Sequence, residues 1–195
     1  MARKRVDLRR EEIIEAMIEQ MRSRGIAETR VVDVAKALDV STGLIFYHFD
    51  TKEALLLAAF PRAMERDLED LDRIVARRST AMRRLKALIK LYGPDGDAEG
   101  WRLWIDGWGN SLRDDSLAKS IQQIDDRWRT AVRTLIEQGV EAGEFTCADP
   151  VATAARITAI LDGLAVQKVV RRDTLTKATY DSWVEQLLQA ELVAV

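Results

Sequence analysis

The chain has 195 residues, a formal net charge of −2 and 47% hydrophobic residues, the composition of a folded protein with a real core and not of a disordered chain. One cysteine, Cys147, excludes an intramolecular disulfide, and with one histidine, His48, the chain cannot assemble an ordinary Cys/His zinc site, so neither metal nor cofactor is expected. The longest apolar run, Ala54 to Phe60, is far too short to span a membrane, and Asp7-Leu-Arg-Arg-Glu-Glu stands where a secretory leader would need an apolar stretch; a cytoplasmic protein is expected.

Three prolines, ten glycines, abundant Ala, Leu, Glu and Arg, and apolar residues at three- and four-residue spacing predict an all-α fold without strands. Arg3, Lys4, Arg5, Arg9 and Arg10 against Asp7 make the first ten residues +4, which taken alone reads as a solvated, disordered terminus, although such an arm can lie along phosphates. Residues 9–24 predict an amphipathic helix with Ile13, Ile14, Met17, Ile18 and Met21 on one stripe, stopped by Gly25 at a left-handed cap. A second helix is expected over about Val31 to Leu38, with Val34, Ala35 and Leu38 inward and Asp39 in a tight turn. Ser41 caps a third, very short helix ending near Phe49. Asp50 and Glu53 predict a capping box at the start of a long helix to about Arg77, kinked or broken at Pro61. Ser79 and Thr80 open a helix to about Tyr92, and residues 93–100 form the clearest loop. The remaining helices read as about 100–112, 116–142, 150–171 and 174–192, the best-marked start being Asp149-Pro150. About nine helices result, in two domains, 1–50 and 51–195.

The third helix carries the most informative residues. At about 100° per residue, Ile45 and Phe49 share one face while Gly43, Leu44 and Tyr47 gather on the opposite one, with Ser41 and His48 on a flank. A helix that buries two residues and shows Tyr and Leu outward makes sense if its second face enters a groove, as the second helix of a helix-turn-helix enters the DNA major groove. Phe46 reads as a packing residue.

"VVDVAKALDVSTGLIFYHFDTKEALL" resembles the DNA-binding signature of the TetR family of one-component transcriptional regulators, the similarity covering about residues 9–57. The resemblance implies a regulator, a repressor by expectation, in which the third helix reads a palindromic double-stranded operator, the protein acts as a homodimer, and a small-molecule effector releases it. Carried over by position, it implies DNA contacts from Ser41, Thr42, Gly43, Tyr47, His48 and Lys52, whose hydroxyls, ring tips, close-approach backbone and ammonium suit phosphate and base-edge contact, while Leu44 joins the set as a side chain that can touch a thymine methyl but cannot hydrogen-bond a base. Three positions depart from the family pattern. Leu44 stands where threonine is common, Phe46 where tyrosine is, and Arg30 where a threonine often begins the second helix, so Thr29 is expected to take over that cap and joins the DNA-binding set.

In the body, Trp101, Trp104 and Trp108 recur at helical spacing, with Trp128 beyond; such a stripe is ordinarily core, yet Gly100, Gly107 and Gly109 weaken the helix that carries it and suit conformational change. The family's effector pocket among the middle helices implies lining by Trp101, Trp104, Trp108, Trp128, Phe60, Met82, Tyr92 and Gln122, and ligand binding that moves the long helix beginning near Thr51. The segment "WRLWIDGW…RWRTAVRTLIEQGVEAGEF…DP…DGLAV" resembles the betaine-regulator-like branch, which implies a small organic effector; for a quaternary amine the tryptophans could form a cation–π cage. The last two helices read either as core or, by the resemblance, as a dimer interface including Ala152, Ala155, Ala159, Gly163, Leu187 and Leu188. The competing expectation is a helical ligand-binding or interaction protein without specific DNA binding. An enzyme is not expected, because a lone histidine and a lone cysteine leave no usual nucleophile–base pair.

Overall fold

Residues 2–94, 99–171 and 175–194 are described by the structure, a computed structural model. Among them are nine helices: α1 (Ala2–Arg24), α2 (Val31–Ala37), α3 (Thr42–Phe49), α4 (Lys52–Val75), α5 (Ala81–Tyr92), α6 (Glu99–Ser111), α7 (Asp115–Glu141), α8 (Pro150–Val170) and α9 (Lys177–Glu191). The fold is all-α as expected, with one exception: β1 (Phe145–Thr146) pairs antiparallel with β2 (Val193–Ala194), two residues on each side, too short to leave a pattern in the sequence. The α1 helix starts at Ala2 and not near residue 9, because the basic arm holds neither Gly nor Pro and nothing in it stops the helix.

The chain forms two compact units. One gathers the described residues up to Glu65 with Arg102–Gln122, and the other gathers Arg66–Trp101 with the described residues from Gln123 onward. In the first, Gly25 takes φ +83°, as its cap position requires, and Asp39 takes +54° in the turn before α3. Asp50 also lies in the left-handed region, at +55°, where it closes α3; it is therefore not the cap of α4. Thr51 takes that role, its Oγ1 accepting from Ala54 N at 3.0 Å, so the expected box with Glu53 does not form. The α4 helix runs unbroken through Pro61, and its buried stripe of Leu55, Leu56, Ala59, Phe60, Ala63 and Met64 explains how it tolerates one missing donor.

In the second unit the caps follow the sequence: Thr80 Oγ1 accepts from Arg83 N at 3.3 Å, and Asp149 Oδ1 from Ala152 N at 3.0 Å ahead of Pro150. Glu144 reinforces the α5 start, its two oxygens accepting from Ala81 N and Met82 N at 2.8 and 2.9 Å, a charged acceptor where the helix dipole favours one. Ala154, Ile157, Leu161 and Ala165 form the inward face of α8. Arg156 ties α8 to α9 by donating from Nε to Glu191 Oε1 at 2.8 Å.

Candidate nucleic-acid interface and aromatic clusters

The α3 helix is placed by the turn chemistry before it. Beyond Gly25, Ile26 N donates to Asp106 Oδ2 at 3.1 Å, a tie eighty residues apart in the chain. Thr29 is 0% exposed and its hydroxyl donates to the Gly25 carbonyl at 2.7 Å. Thr29 therefore braces the turn; its side chain neither caps α2, whose N-cap Arg30 makes no side-chain cap bond, nor reaches the surface to touch DNA. On α2, Val34 and Ala35 are buried as expected, while Leu38 is only half-buried.

Ser41 caps α3, its Oγ accepting from Leu44 N at 3.3 Å. Ile45 and Phe49 are buried, and the Arg10 guanidinium lies over the Phe49 ring at 4.5 Å from its centroid, covering the anchored end of the helix with positive charge. On the outer side Tyr47 is 75% exposed and meets His48 edge-on at 5.3 Å between ring centroids. Ser41, Thr42 and Gly43 are exposed, and Leu44 and His48 half-buried. Phe46 is 43% exposed, against its expected packing role, so the outer side of α3 holds an extra apolar ring. Lys52, the first residue of α4, donates from Nζ to the Ile26 carbonyl at 3.4 Å. Two turns of helix thus present hydroxyls, a phenol, an imidazole and apolar surface outward. These groups can bond phosphates and read base edges and thymine methyls.

The expected effector set falls into two clusters, one in each compact unit. In the first unit, Phe60, fully buried, meets Trp104 edge-on at 5.8 Å, and Trp104 tilts against Trp108 at 5.9 Å. In the second, Tyr92 meets Trp101 at 5.4 Å and Trp128 at 4.9 Å, both edge-on, and Trp101 Nε1 donates to the Tyr92 carbonyl at 2.7 Å. The Tyr92 hydroxyl donates to Asp162, a partner the sequence reading missed; its signal was a lone acid among the apolar residues of α8. Burial holds the Asp162 carboxyl above the usual carboxylate range. Burial, then the Asp162 charge, raises the Tyr92 phenol, so that it remains a donor. Two expected members do not fit. Gln122 is exposed, and Met82 lies at the opposite end of α5 from Tyr92, ten residues or about 15 Å along the axis.

On α8, Ala155, Ala159 and Gly163 face outward with Val151, Ile160 and Val170, and a Cβ placed on Gly163 would meet nothing within 4 Å. On α9, Trp183 is exposed and Leu187 half-buried, whereas Leu188 is 2% exposed and does not lie on the outward face. Ala152 is half-buried, its amide engaged by the Asp149 cap. Among the described residues no helix is long and apolar enough to cross a membrane, and no group of His, Cys, Asp and Glu is placed to hold a metal ion.

Residues 13–59 match the family described as bacterial regulatory proteins, tetR family, and residues 81–193, more than half of the chain, match the BetI-type transcriptional repressor C-terminal family. The HTH-type transcriptional regulator BetI of Burkholderia ambifaria is 28% identical over 125 residues, 62% of this chain and 63% of that protein; this chain thus spans less than two thirds of its length. BetI of Burkholderia cenocepacia is 28% identical over 169 residues, 81% of this chain and 80% of the relative. Among solved structures, a candidate transcriptional regulator from Saccharomonospora viridis in complex with choline superposes with a TM-score of 0.88 at 24% identity, covering 97% of this chain and 100% of that one. A TetR transcription regulator from Haloarcula marismortui gives 0.82 at 22% identity, over 94% and 97%. With the tetR-family match covering α2 and α3 and the BetI-type match covering more than half of the chain, the chain belongs to the TetR family of bacterial transcriptional regulators and carries a BetI-type C-terminal region.

Proposed function

We propose that the protein is a cytoplasmic, homodimeric repressor that reads a palindromic operator through α3 and releases it when a small quaternary amine enters the Tyr92, Trp101 and Trp128 cluster. Residues 1–50 are the reading domain and residues 51–195 the effector and dimerisation domain. The observation that carries the DNA-binding half is Tyr47, 75% exposed on a helix whose opposite face is locked by buried Ile45 and Phe49. Two copies, paired through the outward faces of α8 and α9, would present α3 at half-sites roughly 34–36 Å apart or a multiple of it.

The effector half rests on chemistry. A quaternary ammonium has no N–H to donate, so aromatic faces and a carboxylate are what can recognise it. Tyr92, Trp101, Trp128 and Asp162 supply both from four helices, and the choline bound by the Saccharomonospora viridis relative supports the same class here. A cation that draws on the Asp162 charge competes with the Tyr92 hydroxyl and so disturbs the Trp101 contact. Trp101 and Asp106 are five residues apart in the sequence of α6, and Asp106 holds the turn before the reading helices.

Selection from random duplexes should enrich a palindrome bound with strong salt dependence, and Tyr47→Ala and Lys52→Ala should each weaken it by roughly tenfold or more. Millimolar choline should release that duplex from the parent and not from Trp128→Ala. Selection without enrichment would favour a helical ligand-binding protein that does not read DNA. An unchanged choline response in Trp128→Ala would remove the effector assignment alone.

A further inference from the structure

A concave site adjoins the aromatic cluster in the chain, within the same compact unit. The end of α5 with the chain after it, the C-terminal part of α8 and one face of α9 enclose a half-open cleft of about 330 Å³, at the small end of the roughly 300–1,000 Å³ typical of small-molecule sites. Its apolar wall is Ile89, Val184 and Leu188. Tyr180 lines it as well, only 8% exposed, and its hydroxyl has no hydrogen-bond partner among the described residues. Buried polar groups are almost always paired, so this phenol, unpartnered among the described residues, is suited to take an acceptor that enters the cleft. Gly93 lets the chain pass close to that hydroxyl, since a Cβ there would come within 2.9 Å of the Tyr180 oxygen.

The charges around the cleft decide the sign of the ligand. Four lysines and two acids line it. Lys86 pairs with Glu185 at 2.8 Å and Lys177 with Asp181 at 3.1 Å. That leaves Lys90 and Lys168, which make no ion pair among the described residues. We propose that this cleft binds a small carboxylate with a compact apolar body, the carboxylate taking the Tyr180 hydroxyl and the Lys90 and Lys168 ammoniums while the apolar part lies on Ile89, Val184 and Leu188. Burial pushes the Tyr180 phenol up to about 12, so it stays a donor throughout the physiological range. Gly93 adjoins Tyr92 in the chain, which puts an anion here one residue from the effector cluster.

Hexanoate titrated calorimetrically into the full-length protein provides the test, with hexanamide and inorganic phosphate as controls. Saturable hexanoate binding is expected, weakened at least tenfold by Tyr180→Phe, because a hydrogen bond to a charged acceptor is lost, and several-fold by Lys90→Met and Lys168→Met. Tyr180→Phe removes no internal hydrogen bond, so its thermal midpoint should not fall, which separates loss of binding from loss of fold. Hexanoate affinity unchanged in Tyr180→Phe, or hexanamide bound as well as hexanoate, overturns the proposal. Phosphate bound as tightly as hexanoate overturns the apolar half of the recognition.

Discussion

Replacing Gly107 by alanine tests whether α6 is weak for the sake of movement or narrow for the sake of packing. In an exposed helix interior the change would stabilise by about 1 kcal/mol, the difference between glycine and alanine propensity. At Gly107 the new Cβ would stand 2.5 and 2.6 Å from two Phe60 ring carbons and 3.2 Å from Ile121 Cδ1. Carbon contacts are comfortable near 3.5–4.0 Å, so the ring must retreat by about 1 Å. Phe60 is 0% exposed and its ring meets Trp104, which leaves it little room. Overpacking of this kind costs ~1–3 kcal/mol, so the net effect is a loss of roughly 1 kcal/mol, or ~2–4 °C in Tm for a chain of this size. Gly109 is the control: it is exposed on the same helix with nothing within 4 Å, and Gly109→Ala should raise Tm by a similar amount. Circular-dichroism melts at one fixed protomer concentration would read the split, and Phe60→Leu should restore part of the loss in Gly107→Ala. Equal stabilisation by both alanines would refute the packing account.

Two further substitutions probe the proposed effector and dimer surfaces. The Asp162 carboxyl is raised by burial, so it adds stability below its unfolded pKa, near 4, and that contribution is lost as pH rises through the folded value. Asp162→Asn keeps an acceptor for the Tyr92 hydroxyl without the charge, and should melt above the parent at pH 7, converge with it near pH 4, and lose its response to choline; parallel curves at every pH would show that the buried charge carries no cost. Gly163→Leu adds a large side chain where this chain offers no contact, so helicity should persist while light scattering shows a fall from dimer to monomer at micromolar concentration. A variant that stays dimeric would place the interface elsewhere.

The two faces of α3 were legible because they follow from helical geometry alone: Ile45 and Phe49 are four residues apart and both buried, and Tyr47 lies opposite. Caps with a local partner, Ser41, Thr80 and Asp149, were legible for the same reason. At Asp50-Thr51 two adjacent residues could each have capped α4, and the left-handed backbone at Asp50 decided between them, a choice the residue types do not make. Thr29 looked like a surface hydroxyl because its partner, the Gly25 carbonyl, exists only once the turn is built. The Ile26 to Asp106 bond and the Tyr92 to Asp162 bond join residues eighty and seventy apart, and no periodicity announces them. The tryptophan stripe was read as one set because Trp101, Trp104 and Trp108 share a helix face. Seven residues span about 10.5 Å, enough for its two ends to meet different neighbours.

Those ties change what the glycines of α6 imply. A helix with Gly100, Gly107 and Gly109 contributes little to its own stability, so its position is set by what it touches. Three of its attachments are specific: the Trp101 indole on the Tyr92 carbonyl, the Asp106 carboxylate on Ile26 N, and the seat that Gly107 makes for Phe60. Under the proposed release mechanism an effector acts at the first of these and the reading helices depend on the second. A small shift of a weakly self-stabilised element is then enough to couple them, since the coupling needs only about 1–3 kcal/mol. It follows that a substitution that strengthens α6 internally, such as Gly109→Ala, should leave operator affinity near that of the parent while raising the effector concentration needed for release. Equal release by the same choline concentration would mean that α6 moves as a rigid body and that its weak propensity plays no part in the response.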